Sequence, residues 1–214
     1  MSRVSALSAA SGGRRRSRVR LDTERPGARP TVDGVLVHLD GDVEVLIRPI
    51  RPDDKALLAV GMEHLSERST YQRFLASKRA LTAAELRYLT EIDFRDHVAF
   101  VAVRPEEPDV LVGVGRWVRS RSDPEVAEIA FVVADDLQHR GLGTALGEAL
   151  ADAARERGVR RFVATMLPDN LAAHRLFARV AQEREVTRSG TVHELRGTLP
   201  RRAARPRRSA RALR

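Results

Sequence analysis

The chain has 214 residues, no cysteine and a formal net charge of +9 at pH 7. The lack of cysteine excludes disulfides, thiolate metal sites and cysteine nucleophiles. Hydrophobic residues make up 43% of the chain and can supply the core of one α/β domain, while no apolar run approaches the ~20 residues that a membrane span needs. The first residues also lack the apolar segment of a signal peptide, so we expect a cytoplasmic protein with no membrane contact.

The positive charge is concentrated at the two ends of the chain. Residues 1–30 hold eight arginines against one aspartate and one glutamate, and residues 201–214 hold seven arginines and no acid. Both segments are poor in residues to bury, which predicts disordered basic tails around a mildly acidic folded domain at 31–200. We expect nucleic acid to be contacted at most weakly, through these arginines.

Between the tails, hydrophobic periodicity predicts alternating strands and helices. Apolar, β-branched runs bounded by Gly, Pro or Asp predict strands at 35–39, 43–49, 98–103, 110–118, 126–133, 161–166, about 184–187 and about 191–199. Apolar residues spaced by three or four predict helices over about 54–65 with Asp53 as cap, over 66–74, from the Thr82–Glu85 capping box to 89, from just after Gly143 to about 157, and from 170 onward. Short connections make the strands from 98 to 133 an antiparallel meander, and the helix before 161–166 makes that strand parallel to 126–133.

The most informative stretch is the turn between strand 126–133 and the helix that follows. A glycine turn lets the backbone approach a phosphate, and the first N–H groups of a helix have no partner within it. Arg140 adds a full positive charge beside them. The stretch is not a P-loop, because no Lys-Ser or Lys-Thr pair follows Gly143, and it is not a dinucleotide fingerprint, because Leu146 stands where a third small residue is required.

The spacing Gln138-x-x-Gly141-x-Gly143 resembles the pyrophosphate-binding motif of the GNAT superfamily of N-acyltransferases, which use acyl-CoA. The predicted order of elements from about Glu44 to Leu199 is similar to the GNAT fold. The resemblance implies an α/β (α+β) fold with a mixed, mostly antiparallel sheet, splayed central parallel strands and flanking helices. The residues that it implies for binding acetyl-CoA are Phe131, Val132, Val133, Gln138, His139, Arg140, Gly141, Leu142, Gly143, Thr144, Ala145 and Asn170. Asn170 could equally be a plain helix cap.

Glu128 is the candidate general base for acyl transfer to an amine. An ammonium group with a reference pKa of ~10.4 must lose a proton before it can attack. Glu128 lies in an otherwise apolar strand on the face of Ala130 and Val132, where a carboxylate is costly unless it is solvated, paired or functional. The alternative is an exposed residue without a role, and Glu125 is the reserve candidate.

Three further segments extend the resemblance to the acetyltransferase module of bacterial Pat-type protein-lysine acetyltransferases, in which the corresponding glutamate is the general base. They are Ile47-Arg48-Pro49-Ile50-Arg51-Pro52-Asp53-Asp54, Ser69-x-Tyr71-x-Arg73-Phe74 and Asp96-His97-Val98-Ala99. The resemblance implies direct transfer from acetyl-CoA to a primary amine of a protein lysine. We expect none of the larger domains of Pat-type proteins, because the tails are too short to hold one.

Several alternatives remain open at this point. The acceptor could be a small-molecule amine, or the protein could sense acyl-CoA without turning it over. Phe177 stands where many family members carry a tyrosine as general acid, so no acid is assigned. The histidines follow no ligand spacing, and we expect no metal.

Overall fold

The computed structural model describes residues 34–76 and 78–200, so the predicted tails at 1–30 and 201–214 lie outside the described residues. The strands are β1 (Val35–Leu39), β2 (Val43–Pro49), β3 (His97–Val103), β4 (Leu111–Arg119), β5 (Val126–Val133), β6 (Arg161–Met166), β7 (Gln182–Ser189) and β8 (Val192–Thr198). The α-helices are α1 (Lys55–Glu63), α2 (Glu67–Phe74), α3 (Ala83–Thr90), α4 (Leu142–Glu156) and α5 (Leu171–Val180). Short 3-10 turns cover Pro52–Asp54 and Asp135–Leu137.

All eight strands join one sheet in the order β1-β2-β3-β4-β5-β6-β8-β7. Among these described strands, β5 and β6 are the one parallel pair, and every other neighbouring pair is antiparallel. The β5–β6 pairing covers only three positions and ends where Glu128 meets Val163. The predicted mostly antiparallel sheet with a splayed parallel pair is therefore confirmed.

Helices α4 and α5 cover one face of the sheet. Leu146 and Leu150 of α4 are fully buried, together with Trp117 of β4 and Phe162 of β6. A Cβ at Gly147 would lie 2.6 Å from the Val180 side chain, so this glycine lets the two helices pack closely. This core holds α4, and with it the turn that begins the helix, in a fixed position against β5.

Helices α1 and α3 cover the opposite face, where Leu58 and Leu89 pack on β3 and β4. A buried ion pair closes this layer at its edge: both Arg48 guanidinium nitrogens donate to the Asp54 carboxylate at 2.7 Å. The N-cap of α1 is Asp54, so the predicted cap at Asp53 is wrong. The carboxylate of Asp54 binds Arg48 instead of the free N–H groups of the helix.

Of three other local predictions, one is confirmed and two differ from the structure. The capping box of Thr82 and Glu85 is confirmed at the start of α3. Helix α4 begins two residues earlier in the glycine turn than predicted, with Gly141 as its N-cap. The helical spacing predicts that Leu171 faces inward, but this residue, the first of α5, is 58% exposed.

Candidate active site

The parted strands leave a cleft along β5. Ile129 and the residues that follow it pair with β4 but have no partner in β6. Phe131 and Val133 pack toward the α4 side of the sheet, whereas Val132 packs toward the α1–α3 side. The backbone edge of β5 that faces β6 is thus open over the stretch predicted to contact pantetheine.

The start of α4 forms an anion cradle at one end of this cleft. Gly141 has φ of 93° and His139 has φ of 62°, so the chain turns sharply into the helix. The amides of Leu142, Gly143 and Thr144 have no carbonyl one turn before them inside the helix. A Cβ built on Gly141 has nothing within 4 Å, so open space lies above the turn. Free amides, open space and the positive end of the helix dipole fit a diphosphate.

Three other residues predicted to contact the cofactor also serve the fold. The exposed Arg140 side chain donates from Nε to the Asp136 carbonyl at 3.1 Å, which keeps its charge beside the cradle. The Gln138 amide donates to the Asp135 carboxylate at 3.0 Å. The Asn170 Oδ1 accepts from the Ala173 amide at 3.1 Å, so the capping role left open by the sequence is present. Contact of these residues with acetyl-CoA remains a prediction.

Glu128 lies at the point where β5 and β6 part. It is the last residue of β5 with a partner in β6, and its side chain is exposed, which the alternative of a residue without a role also predicts. Glu128 pairs with Val118 of β4. Because side chains alternate along β5, Glu128 lies on the α1–α3 face with Ala130 and Val132, as predicted. The reserve candidate Glu125 precedes β5 and lies 4.0 Å from Arg161. The carboxylate at the mouth of the cleft is therefore that of Glu128.

A pocket lies beside Glu128 on the same face of the sheet. Its empty volume is about 610 Å³ including the open mouth, and apolar side chains of α1, β4 and β5 form most of its wall. Two arginines also line it. Arg116 of β4 is 5% exposed and donates to the Leu89 carbonyl at 3.2 Å and to His97 Nε2 at 3.0 Å. Arg73, in the last turn of α2, is half-buried.

The charges in this pocket perturb one another. Burial and then the charge of Arg73 lower the pKa of Arg116 to about 9, so Arg116 stays charged at neutral pH. Burial also lowers the pKa of Arg73, and the charge of Glu128 partly opposes that shift. Burial and then Arg116 lower the pKa of His97 to about 4, so His97 is neutral and its Nε2 can accept the hydrogen bond. Arg73, His97 and Arg116 are not among the predicted site residues, although an arginine in an apolar strand was a usable signal.

The aromatic residues near the site supply no obvious proton donor. Phe177 is 2% exposed and packs against Gly197. A Cβ built on that glycine would lie 3.1 Å from the phenyl ring. Tyr88 is exposed, and its ring centroid lies 5.2 Å from that of His97. The general acid is therefore still unassigned.

The described part of the chain contains neither a metal-binding cluster nor a membrane-spanning helix. Within residues 34–76 and 78–200, no group of three or more His, Asp or Glu side chains could hold a metal ion. The predicted helix from 170 onward would place His174 on its surface, but the residue is half-buried and its ring lies 5.4 Å from that of His193. No helix in the same residues has the length and apolar character needed to cross a membrane.

The described structure thus combines an open helix start with a parted pair of parallel strands. The family model described as "Acetyltransferase (GNAT) family" matches residues 62–181. The chain therefore belongs to the GNAT family of acetyltransferases, and the donor of this family is acetyl-CoA.

Two curated relatives are similar in sequence. Acetyltransferase Pat of Mycolicibacterium smegmatis is 37% identical over 134 residues, which are 63% of this chain and 40% of Pat. Acetyltransferase PA5475 of Pseudomonas aeruginosa is 34% identical over 124 residues, which are 58% of this chain and 66% of that protein. The chain thus spans less than two thirds of the length of either relative.

Solved structures agree with this assignment. The GNAT domain of S. lividans PAT superposes with a TM-score of 0.71 at 31% identity, over 80% of this chain and 100% of that domain. The protein yncA of Salmonella typhimurium, solved with acetyl-CoA, gives a TM-score of 0.58 at 20% identity, over 75% and 96% of the two chains. The second likeness bears on the fold alone.

Proposed function

We propose that the protein transfers an acetyl group from acetyl-CoA directly to the primary amine of a protein lysine, with Glu128 as general base. The observation that carries this proposal is the position of Glu128, an exposed carboxylate at the last paired residue before β5 and β6 part. An acceptor amine that reaches the cleft from the α1–α3 face must pass this carboxylate. The resemblance to Pat-type enzymes favours a protein lysine as the acceptor.

The open edge of β5 and the start of α4 are the parts of the chain that would hold acetyl-CoA. The backbone of Phe131, Val132 and Val133 would pair with the pantetheine arm. The free amides after Gly141 and the charge of Arg140 would bind the diphosphate. When bound, acetyl-CoA supplies a thioester carbonyl that an amine can attack.

The contribution of the chain to the reaction is then proton transfer and charge stabilisation. Glu128 would take a proton from the acceptor ammonium, directly or through water, and leave a neutral amine. A backbone N–H on the open edge of β5 would stabilise the negative charge that develops on the acetyl oxygen. Because Phe177 cannot donate a proton, CoA would leave as the thiolate and take up, through water, the second proton that the attacking nitrogen releases.

A second candidate is a small-molecule amine as acceptor. The pocket beside Glu128 favours it, because the pocket is concave, mostly apolar and lined by cations. A basic, lysine-bearing segment would suit an open acidic groove. The residues that line this pocket instead include Arg73 and Arg116 and no Asp or Glu.

The decisive variant is Glu128→Gln, with Glu125→Gln as matched control. We expect Glu128→Gln to bind acetyl-CoA as the wild type does and to turn over about 10²–10⁴-fold more slowly at neutral pH. Turnover is measured as thiol release and as transfer from labelled acetyl-CoA to a cell lysate, in which label on protein bands separates a protein acceptor from a small one. A near-normal rate for Glu128→Gln would remove this residue from its proposed role.

A further inference from the structure

The two pocket arginines have no carboxylate partner among the described residues. Arg116 is buried and donates only to neutral acceptors, the carbonyl of Leu89 and the ring of His97. The guanidinium of Arg73 lies 4.9 Å from the ring centroid of Phe74 and forms no ion pair within residues 34–76 and 78–200. Glu128 acts on Arg73 only as a more distant charge.

This arrangement is costly for the folded protein. A buried cation loses its hydration, and two like charges in one pocket repel each other. The contrast within the described residues is direct, because their other buried arginine, Arg48, has its own carboxylate at 2.7 Å in Asp54. The fold therefore neutralises one buried guanidinium internally and leaves Arg116, with Arg73 beside it, available to a ligand.

The sheet register relates this positive pocket to the candidate base. Arg116 pairs with Ala130, and Glu128 lies two residues away along β5 on the same face. Side chains that are diagonal neighbours on one face lie roughly 7–8 Å apart at their Cα atoms. One acceptor molecule can therefore present its amine to Glu128 and a second polar group to the arginines.

We propose that Arg73 and Arg116 bind a carboxylate carried by the acceptor, so that the preferred substrates are amines with a carboxylate close to the reacting nitrogen. This inference rests on the proposed acetyl transfer. Guanidinium groups pair with carboxylates through two parallel N–H···O bonds, which suits them to this task better than ammonium groups. The carboxylate can belong to a free amino acid or to an acidic side chain next to a lysine in a polypeptide.

Matched acceptor pairs test the inference and separate these two sources. Free lysine is compared with 1,5-diaminopentane, and a lysine peptide with glutamate after the lysine is compared with its glutamine counterpart. We expect the wild type to favour the carboxylate-bearing member of at least one pair by about tenfold or more in kcat/KM. The pair that shows the preference identifies the source.

Variants then assign the preference to the pocket. Arg73→Gln should abolish it by raising KM for the carboxylate-bearing acceptor, and Arg68→Gln, on the exposed side of the same helix, should leave it intact. Arg116→Lys keeps the charge but loses the two-pronged geometry, so it should weaken the preference in a protein that still folds. Equal slowing of both members of a pair by Arg73→Gln would overturn the inference, because the arginine would then serve Glu128.

A binding measurement separates this inference from the proposed acetyl transfer. Ligand-observed NMR with phenylacetate and phenylacetamide asks whether the pocket binds an apolar carboxylate without any turnover. Binding of phenylacetate alone, lost in Arg73→Gln, supports the site even if no amine is acetylated. Equal binding of both probes, or an unchanged signal in the variant, would overturn it.

Discussion

The two ends of α4 provide a matched pair of substitutions that tests the diphosphate site. Gly141 before the helix has φ of 93°, and Gly158 after it has φ of 80°. A Cβ built on either residue has nothing within 4 Å. Alanine at each position should therefore cost about the same, 1–2 kcal/mol of unfolding free energy, because an L side chain is strained at positive φ.

The two variants should differ in their binding of acetyl-CoA. The methyl group of Gly141→Ala would enter the open space above the free amides, where we propose that the diphosphate binds. We expect at least about a tenfold loss of affinity by calorimetry, equivalent to about 1.4 kcal/mol. Gly158→Ala lies at the far end of the helix and should bind acetyl-CoA as the wild type does.

Urea denaturation supplies the control for both variants. Equal destabilisation together with a loss of affinity only in Gly141→Ala would support the cradle. Wild-type affinity in Gly141→Ala would refute the assignment of the diphosphate to this turn. An equal loss of affinity in both variants would refute it too, since the loss would then follow from helix strain and not from the occupied space.

The two remaining predictions concern stability. The pKa of His97 falls from 6.5 to about 4 on folding, so its contribution to stability is complete above pH 6.5 and is lost as the pH falls toward 4. From pH 7 to pH 5 the wild type should lose about 2 kcal/mol more in urea denaturation than His97→Gln, and an equal loss would contradict the shifted pKa. Asp54→Ala leaves Arg48 buried without a partner and should cost about 3–5 kcal/mol by the same assay, whereas the exposed control Asp53→Ala should stay within about 0.5 kcal/mol. A loss below about 1 kcal/mol for Asp54→Ala would show that Arg48 is solvated.

Local sequence signals predicted the central part of the fold well. The bounds of β5 and β6 agree with the prediction because both are mostly apolar segments between polar turns, although β5 contains Glu128 and β6 begins at Arg161. The parallel pairing followed from the helix that connects them. The glycine turn was predictable because glycine adopts positive φ readily and few other residues do. Gly141 has such a φ in the structure.

Features that depend on contacts between distant segments were missed. Asp53 and Asp54 look equally suited to cap a helix, and only the nearby strand β2, with Arg48, distinguishes them. The pocket brings together residues from α2, α3 and the central strands, and no local pattern joins Arg73 to Arg116. The position of Arg116 in an apolar strand was nevertheless the same kind of signal that singled out Glu128.

Alternation along β5 separates the two halves of the proposed reaction. Phe131 and Val133 face the α4 side, where the cradle begins, whereas Glu128 and Val132 face the α1–α3 side and its positive pocket. A continuous sheet would keep a donor on one face from an acceptor on the other. Because the β5–β6 pairing ends at Glu128 and Val163, the sheet opens there, and the two faces are connected at the position of Glu128. Glu128, on the face proposed for the acceptor, therefore lies at the end of the open β5 edge proposed for acetyl-CoA.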